Sequence, residues 1–229
     1  MDQPAFIVTV AQGQHIIHAL QICTEMESSA KARGTGIAKR SPDYIAQKML
    51  EGKAVIALHP DGSWAGFCYI ETWGHGKYVA NSGLIVSPEL RKSGLARQIK
   101  KKIFELSRTK YPDAKIFGLT TALAVMRINS SLGYTPVTYS ELTDDEEFWK
   151  GCRSCVNFEI LQSKNRTNCL CTAMLYDPTK EKDFMALPVV EKKPAPKQSS
   201  VNERWLRHRQ KPGQQQSGLH NPEMSTLKV

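Results

Sequence analysis

"IVSPELRKSGLARQIKKKIF", residues 85–104, joins an apolar strand to a strongly basic helix through a loop that holds one glycine. A helix N-terminus presents unpaired backbone N–H groups and the positive end of the helix dipole, so it attracts anions. Gly94 lets the backbone turn tightly and approach a ligand with no Cβ in the way. Ala96 keeps the first helical turn small, while Arg91, Lys92 and Arg97 bring full positive charges to the same spot. Leu95, Ile99, Ile103 and Leu106 recur on one side of the helix, which predicts burial there and solvation of Lys100, Lys101 and Lys102. Such a loop suits a pyrophosphate. It contains neither G-x-x-x-x-G-K-[ST] nor G-x-G-x-x-G, so neither the P-loop nor the dinucleotide fingerprint is indicated.

The segments around the loop alternate between the two hydrophobic periods. Residues 6–10, 54–58, 64–73 and 78–86 read as strands, and the turn "HPDGS" joins the second and third into a hairpin. Residues 14–31 carry Ile16, Leu20, Cys23 and Met26 at helical spacing, with Ile17 and Ile22 widening the stripe. "SPDYIAQKMLEG" reads as a compact helix, with Ser41 as N-cap, Pro42 at the first helical position and Gly52 at its end. Beyond the loop and its helix come a strand over 115–120, a short helix over 123–132 stopped by Gly133, and a strand in "YTPVTYS". "VNFEIL" and "CTAMLY" read as weaker strands. This order predicts an α/β fold, a mixed twisted sheet flanked by helices, with no internal repeat.

At 229 residues and 41% hydrophobic content the chain has room for one domain plus an appendage. The expected division is a catalytic-type domain over 1–150, a cysteine-bearing extension packed on it over 151–179, and a basic disordered tail over 180–229. The tail is rich in Pro, Gln, Ser, Lys and Gly and too poor in large apolar residues to offset its chain entropy. Within it, "NERWLRHRQ" has the makings of a short basic helix around Trp205 and Leu206. Of the net charge of +9, ten Lys/Arg against five Asp/Glu place +5 in residues 180–229 and leave +4 for the body. This balance favours polyanionic partners, whether nucleic acid, acidic membrane or phosphorylated cofactors. No apolar run approaches the ~20 residues of a membrane span, and "MDQPAFIVTV" lacks the order of a secretory signal. Six cysteines without such a signal point to a reducing compartment, the cytoplasm, and to thiols or metal ligands over disulfides.

"RKSGLA", residues 91–96, matches the Q/R-x-x-G-x-G/A element that follows the fourth strand in the GNAT family of acyl-CoA-dependent N-acyltransferases. The preceding "LIVSP", the amphipathic helix and the element order resemble the GNAT fold from about residue 4 to 160. The resemblance implies acetyl-CoA or another acyl-CoA as donor, with main-chain N–H groups of Lys92, Ser93, Gly94, Leu95, Ala96 and Arg97 on its pyrophosphate beside Arg91. Backbone groups of Ile85 and Val86 would meet the pantetheine arm and the acyl carbonyl. "FGLTTALAVMRINSSLGYTPV" resembles the second half of the GNAT site. Many members place an acidic tyrosine four residues before its glycine, where this chain has Asn129, which can donate a hydrogen bond to sulfur but cannot protonate it. The same region with "PVTYSEL" looks like the acetyltransferase domain of N-acetylglutamate synthases and implies a glutamate-like acceptor.

The acceptor side implied by this fold falls on "KARGTGIAKRS", where Arg33, Lys39 and Arg40 surround a loop freed by Gly34 and Gly36. A guanidinium takes a carboxylate bidentately, which suits an acidic amino acid. An amine must lose a proton before it attacks a thioester. The fourth strand offers only Asn81 and Ser82 there, so Glu71 on the third strand is the candidate base, directly or through water, with His75 behind it. Cys152, Cys155, Cys169 and Cys171 form C-x2-C and C-x-C pairs, a spacing that can supply a structural zinc site. The leading expectation is direct acyl transfer to a small-molecule amine, glutamate first, with no membrane or nucleic-acid partner and a homodimer left open. The alternatives are a GNAT domain acting on a protein or polyamine amine, and a non-enzymatic basic zinc-stapled module that binds nucleic acid.

Overall fold

The computed structural model describes residues 6–34 and 39–180. In chain order the elements are β1 (Ile7–Val10), α1 (Ala19–Arg33), α2 (Pro42–Leu50), β2 (Ala54–Leu58), β3 (Trp64–Trp73), β4 (Tyr78–Val86) and α3 (Leu95–Lys110). They continue with β5 (Lys115–Thr120), α4 (Leu123–Ser131), β6 (Thr135–Val137), α5 (Glu146–Lys150), α6 (Phe158–Ser163) and β7 (Thr172–Tyr176). A 3-10 turn, Gly13–His18, leads into α1. Gly36 and the tail reading, with Trp205 and Leu206, lie outside the described residues.

The strands form one mixed sheet in the order β1-β2-β3-β4-β5-β7-β6. Among the described residues only β4 and β5 pair in parallel; the other neighbours are antiparallel. Strand β7 hydrogen-bonds between β5 and β6, so the cysteine-bearing segment contributes a strand to the interior of the sheet. "VNFEIL", expected as a strand, instead gives helix α6. Its Leu161 packs with Trp149 and Tyr139 over Phe117, and that tertiary burial overrides the β-branched start of the segment.

Strand alternation splits the apolar residues between two faces. Val55, Ala57, Cys68 and Ile70 pack against Leu95, Ile99 and Ile103 of α3. Ala54, Ile56, Phe67 and Tyr69 pack against Ile22 and Met26 of α1 and Ile45 and Met49 of α2. Helix α2 starts as its sequence dictates: Ser41 Oγ accepts from Tyr44 N–H at 3.2 Å, and Pro42 occupies the first position.

Two helical faces differ from expectation. In α1 and the turn before it the buried residues are His15, Ala19, Ile22, Met26, Ser29 and Ala30, whereas Ile16, Ile17 and Leu20 are exposed. Both stripes fit a 3.6-residue period; the small Ala19 and Ala30 allow close approach to the sheet, and bulkier side chains do not. On α3, Lys101 and Lys102 are solvated as expected, but Lys100 is only 2% exposed. It stands one turn beyond Ala96 and one turn before Phe104, on the flank of the helix that faces β4, so position decides against polarity.

Candidate active site

Strand β4 carries a bulge that shapes the centre of the molecule. Phe67 of β3 pairs with Ile85 and Tyr69 with Ser82, so Cys68 alone faces both Gly83 and Leu84. Gly83 has φ +63°, a backbone region disfavoured for any side chain. Beyond Ala80, which pairs with Phe117, β4 and β5 no longer pair. The sheet therefore splays. Residues 81–86 line one arm of the opening and residues 117–122 the other, within a cleft of about 940 Å³.

Above the splay lies the glycine loop. Lys92 and Gly94 take left-handed conformations, φ +70° and +87°, and Gly94 caps α3 without a side-chain hydrogen bond. Leu95 N–H reaches Ser93 Oγ at 3.3 Å and Arg97 N–H reaches Gly94 O at 3.0 Å. The N–H groups of Lys92, Gly94 and Ala96 find no acceptor among the described residues. Arg91 is anchored from α1: its Nη2 donates to Glu25 Oε1 at 2.9 Å and Ser29 Oγ at 2.6 Å. Lys92 and Arg97 are exposed. The loop thus combines free main-chain donors with positive charge, the chemistry of an anion cradle.

On the α1–α2 face, four side chains form a network beside the splay. Arg40 donates to Tyr69 Oη at 2.9 Å and to Glu71 Oε1 at 3.0 Å, and Tyr44 Oη donates to the same carboxylate oxygen at 2.6 Å. Burial works against the Arg40 charge, but Tyr69 and Glu71 outweigh it and raise its pKa. Burial, reinforced by Glu71, raises the phenols of Tyr44 and Tyr69. Arg40→Met leaves the carboxylate of Glu71, itself 7% exposed, without its cation. Such a loss costs about 2 kcal/mol for this partly exposed pair. Glu71→Gln in the same background should recover part of it, as chemical denaturation of the single and double variants would reveal.

The candidate acceptor residues take different places. Arg40 is committed to Glu71, while Lys39 pairs at the surface with Glu27 at 2.9 Å. Arg33 is exposed, lines the cleft, and has no ion-pair partner among the described residues. Burial and Arg91 lower its pKa. Asn81 is buried and faces α3, donating to Ser107 Oγ at 2.7 Å and accepting from Tyr134 Oη at 3.1 Å. Ser82, Ile85 and Val86 line the cleft with it. His75 sits exposed on the 3-10 turn Gly74–Gly76 and does not line the cleft, which removes it as a candidate base. Asn129 of α4 does line it; it is 1% exposed, with Nδ2 3.7 Å from Met174 Sδ and Oδ1 without a partner among the described residues.

The four late cysteines gather at the far end of the same cleft. Cys169 Sγ meets Tyr139 Oη at 2.8 Å and accepts from Cys171 N–H at 3.3 Å, while Cys155 Sγ accepts from Asn157 N–H at 3.4 Å. Burial, with neighbouring thiols adding to it, pushes Cys152 up to about 11 and Cys171 up to about 12. Among the described residues no group of three or more His, Cys, Asp or Glu is arranged to hold a metal ion. The zinc expectation therefore finds no support among the described residues, where Cys169 Sγ has the Tyr139 hydroxyl as its neighbour. Cys68 is a core residue between the sheet and α3, and Cys23 is half-buried against the α1–α2 core.

Sequence reasoning missed Tyr44, Tyr69 and Lys100. Tyr44 and Lys48 share one face of α2 at i, i+4, a signal available in advance; nothing local marks Tyr69.

No protein-family model and no curated protein matches the sequence. Solved structures do. N-acetylglutamate synthase from Neisseria gonorrhoeae, complexed with coenzyme A and N-acetyl-glutamate, is similar with a TM-score of 0.54 at 16% identity over 77% of this chain. The chain spans only 36% of that enzyme's length. A Mycobacterium tuberculosis protein in complex with CoA is similar with a TM-score of 0.52 at 17% identity, covering 75% of this chain and 98% of that one. A GNAT superfamily phosphinothricin acetyltransferase from Sinorhizobium meliloti, in complex with acetyl-CoA, gives 0.51 at 13% identity over 75% and 88%. None of the described helices is long and apolar enough to cross a membrane. With its seven-stranded order, its splayed β4–β5 pair and these likenesses, the chain has the GNAT fold.

Proposed function

We propose that this chain moves an acetyl or other short acyl group from acyl-CoA to the primary amine of a small amino acid, glutamate first, by direct transfer. The observation that carries this reading is the open β4–β5 splay beneath a loop with three N–H groups that find no acceptor among the described residues. The loop from Arg91 to Arg97 would hold the pyrophosphate. The β4 backbone at Ile85 and Val86, paired with β3 but past its last pair with β5, would accompany the pantetheine arm down the cleft. Arg33 stands exposed at the mouth and would take the acceptor carboxylate, and Asn81 and Ser82 line its path. Glu71 shares its Oε1 with Arg40 and Tyr44, so it would draw the amine proton through a water rather than directly. The likeness to a synthase solved with N-acetyl-glutamate supports the choice of glutamate among amino acids, and arginine biosynthesis is the proposed setting. No metal-holding group is found among the described residues, so the zinc-stapled nucleic-acid module is left without its main support.

Thiol release from acetyl-CoA and succinyl-CoA, followed against a panel of amino acids, polyamines and peptides, tests the reading. Turnover with glutamate is expected to exceed that with polyamines or peptides, and Arg33→Ala should raise the KM for glutamate about tenfold while sparing kcat, a loss of about 1.4 kcal/mol of uniform binding. Turnover only with a peptide or polyamine would replace the acceptor class. No binding of any CoA ester would end the acyltransferase reading.

A further inference from the structure

Lys100 has no counter-anion among the described residues. Its Nζ lies 3.4 Å from Asn81 Oδ1 and 5.5 Å from the centre of the Tyr134 ring, with 2% of the residue exposed. The titratable groups that face it are Cys68 from β3 and Tyr134 ahead of β6, with Tyr176 of β7 behind Tyr134. Burial pushes Cys68 up to about 11 and raises Tyr134 well above the usual phenol range, so both are neutral at physiological pH. No carboxylate among the described residues pairs with Lys100. A desolvated ammonium without an anion is costly, and a fold keeps one where an anion will arrive.

Its position says which anion. Lys100 and Ala96 both line the cleft, one helical turn apart, so Lys100 lies one turn inward from the glycine loop. Asn81, which holds it, is the first β4 residue past the last pair with β5. Lys100 therefore meets the opening where the splay begins, from the α3 side. Arg40 and Glu71 meet it from the opposite face, the side assigned to the incoming amine. Asn129 enters on the α3–α4 side with an unpartnered buried Oδ1, and an amide has no proton to give a leaving group.

We propose that Lys100 is the acid that protonates the departing CoA sulfur, and that the Asn129 amide orients that sulfur. The assignment rests on the acyl-CoA reading above. The nitrogen lone pair of the acceptor forms the C–N bond, the C–S bond breaks with its electron pair going to sulfur, and a proton passes from Lys100 Nζ to sulfur. The proton shed by the acceptor nitrogen leaves through water, and solvent reprotonates Lys100. Burial lowers the Lys100 pKa to about 8; the acid is present below that pH and is lost as pH rises through it. An acid in this range is well matched to a thiolate.

CoA carrying ¹³C at the carbon next to sulfur, bound to the full chain and titrated by NMR, reads the thiol without any acceptor. In the unsubstituted protein the bound thiol should lose its proton about one pH unit below free CoA, a tenfold gain in thiolate. Lys100→Met should return it to the free value, with affinities for acetyl-CoA and succinyl-CoA changed in the same ratio. Bound CoA whose thiol titrates as in solution overturns the Lys100 assignment and leaves the acyltransferase reading standing, whether or not the variant folds. A loss confined to succinyl-CoA puts an acyl carboxylate against Lys100 and overturns it as well. Failure of CoA to bind overturns both.

Discussion

A protein carrying Gly94→Val is expected to bind acetyl-CoA at least about a hundredfold more weakly than the parent, a loss of about 2.7 kcal/mol. Its fold should survive. A Cβ at Gly94 would meet nothing within 4 Å, so the folded chain bears only the cost of a left-handed backbone, about 1–2 kcal/mol. Valine relieves that strain by rotating the flanking peptides, because its branched side chain tolerates φ +87° poorly. The rotation swings the Gly94 N–H away from its neighbours at Lys92 and Ala96, and three donors no longer converge on one anion. Titration calorimetry with acetyl-CoA and a thermal melt separate the two effects. An unchanged affinity in a folded variant would remove the pyrophosphate from this loop.

What the sequence discloses about this site follows from how local each determinant is. The glycine loop is legible because its function is a matter of backbone conformation, and Gly94 is set by its own φ. The strands over 64–73 and 78–86 emerge with their observed bounds, since their apolar runs are punctuated by turns. Helix α2 follows from Ser41 and Pro42 alone. The faces of α1 and α3 are another matter. Ile16, Ile17 and Leu20 compete with Ala19 and Ile22 on two stripes of equal period, and the distance to the sheet decides which one is buried. Lys100 reads as a solvated lysine in a run of three until β4 and Tyr134 stand over it. The partnership of Glu71 with Arg40 spans 31 residues and needs Tyr44 and Tyr69 to hold both ends. Likewise the cysteine spacing suits a metal, yet the Tyr139 hydroxyl on Cys169 is set by tertiary packing.

The cleft exists because β4 leaves β5, and Gly83 bears most of that departure. Gly83→Ala is expected to destabilise the protein by about 3 kcal/mol, combining a left-handed alanine with overpacking against two side chains. The added Cβ would lie 2.4 Å from Tyr69 Cε1 and 2.7 Å from Met26 Cε. Tyr69 does not yield freely, since it stacks on Phe67 and holds Arg40 through its hydroxyl, while the flexible end of Met26, buried between α1 and the sheet, gives way more easily. Displacing Tyr69 loosens Arg40 from Glu71, so the α1–α2 side of the cleft would change together with the bulge. The melting midpoint should fall by about 10 °C, with acetyl-CoA affinity falling as the two strands lose their spacing. Gly94→Val would weaken binding with a shift of only a few degrees, so the pair separates the cradle from the splay. A Gly83→Ala protein that melts with the parent and binds acetyl-CoA equally well would show that the bulge is not what opens the strands, and the cause would then lie in β7, which pairs with the far side of β5 from Ile116 to Thr120.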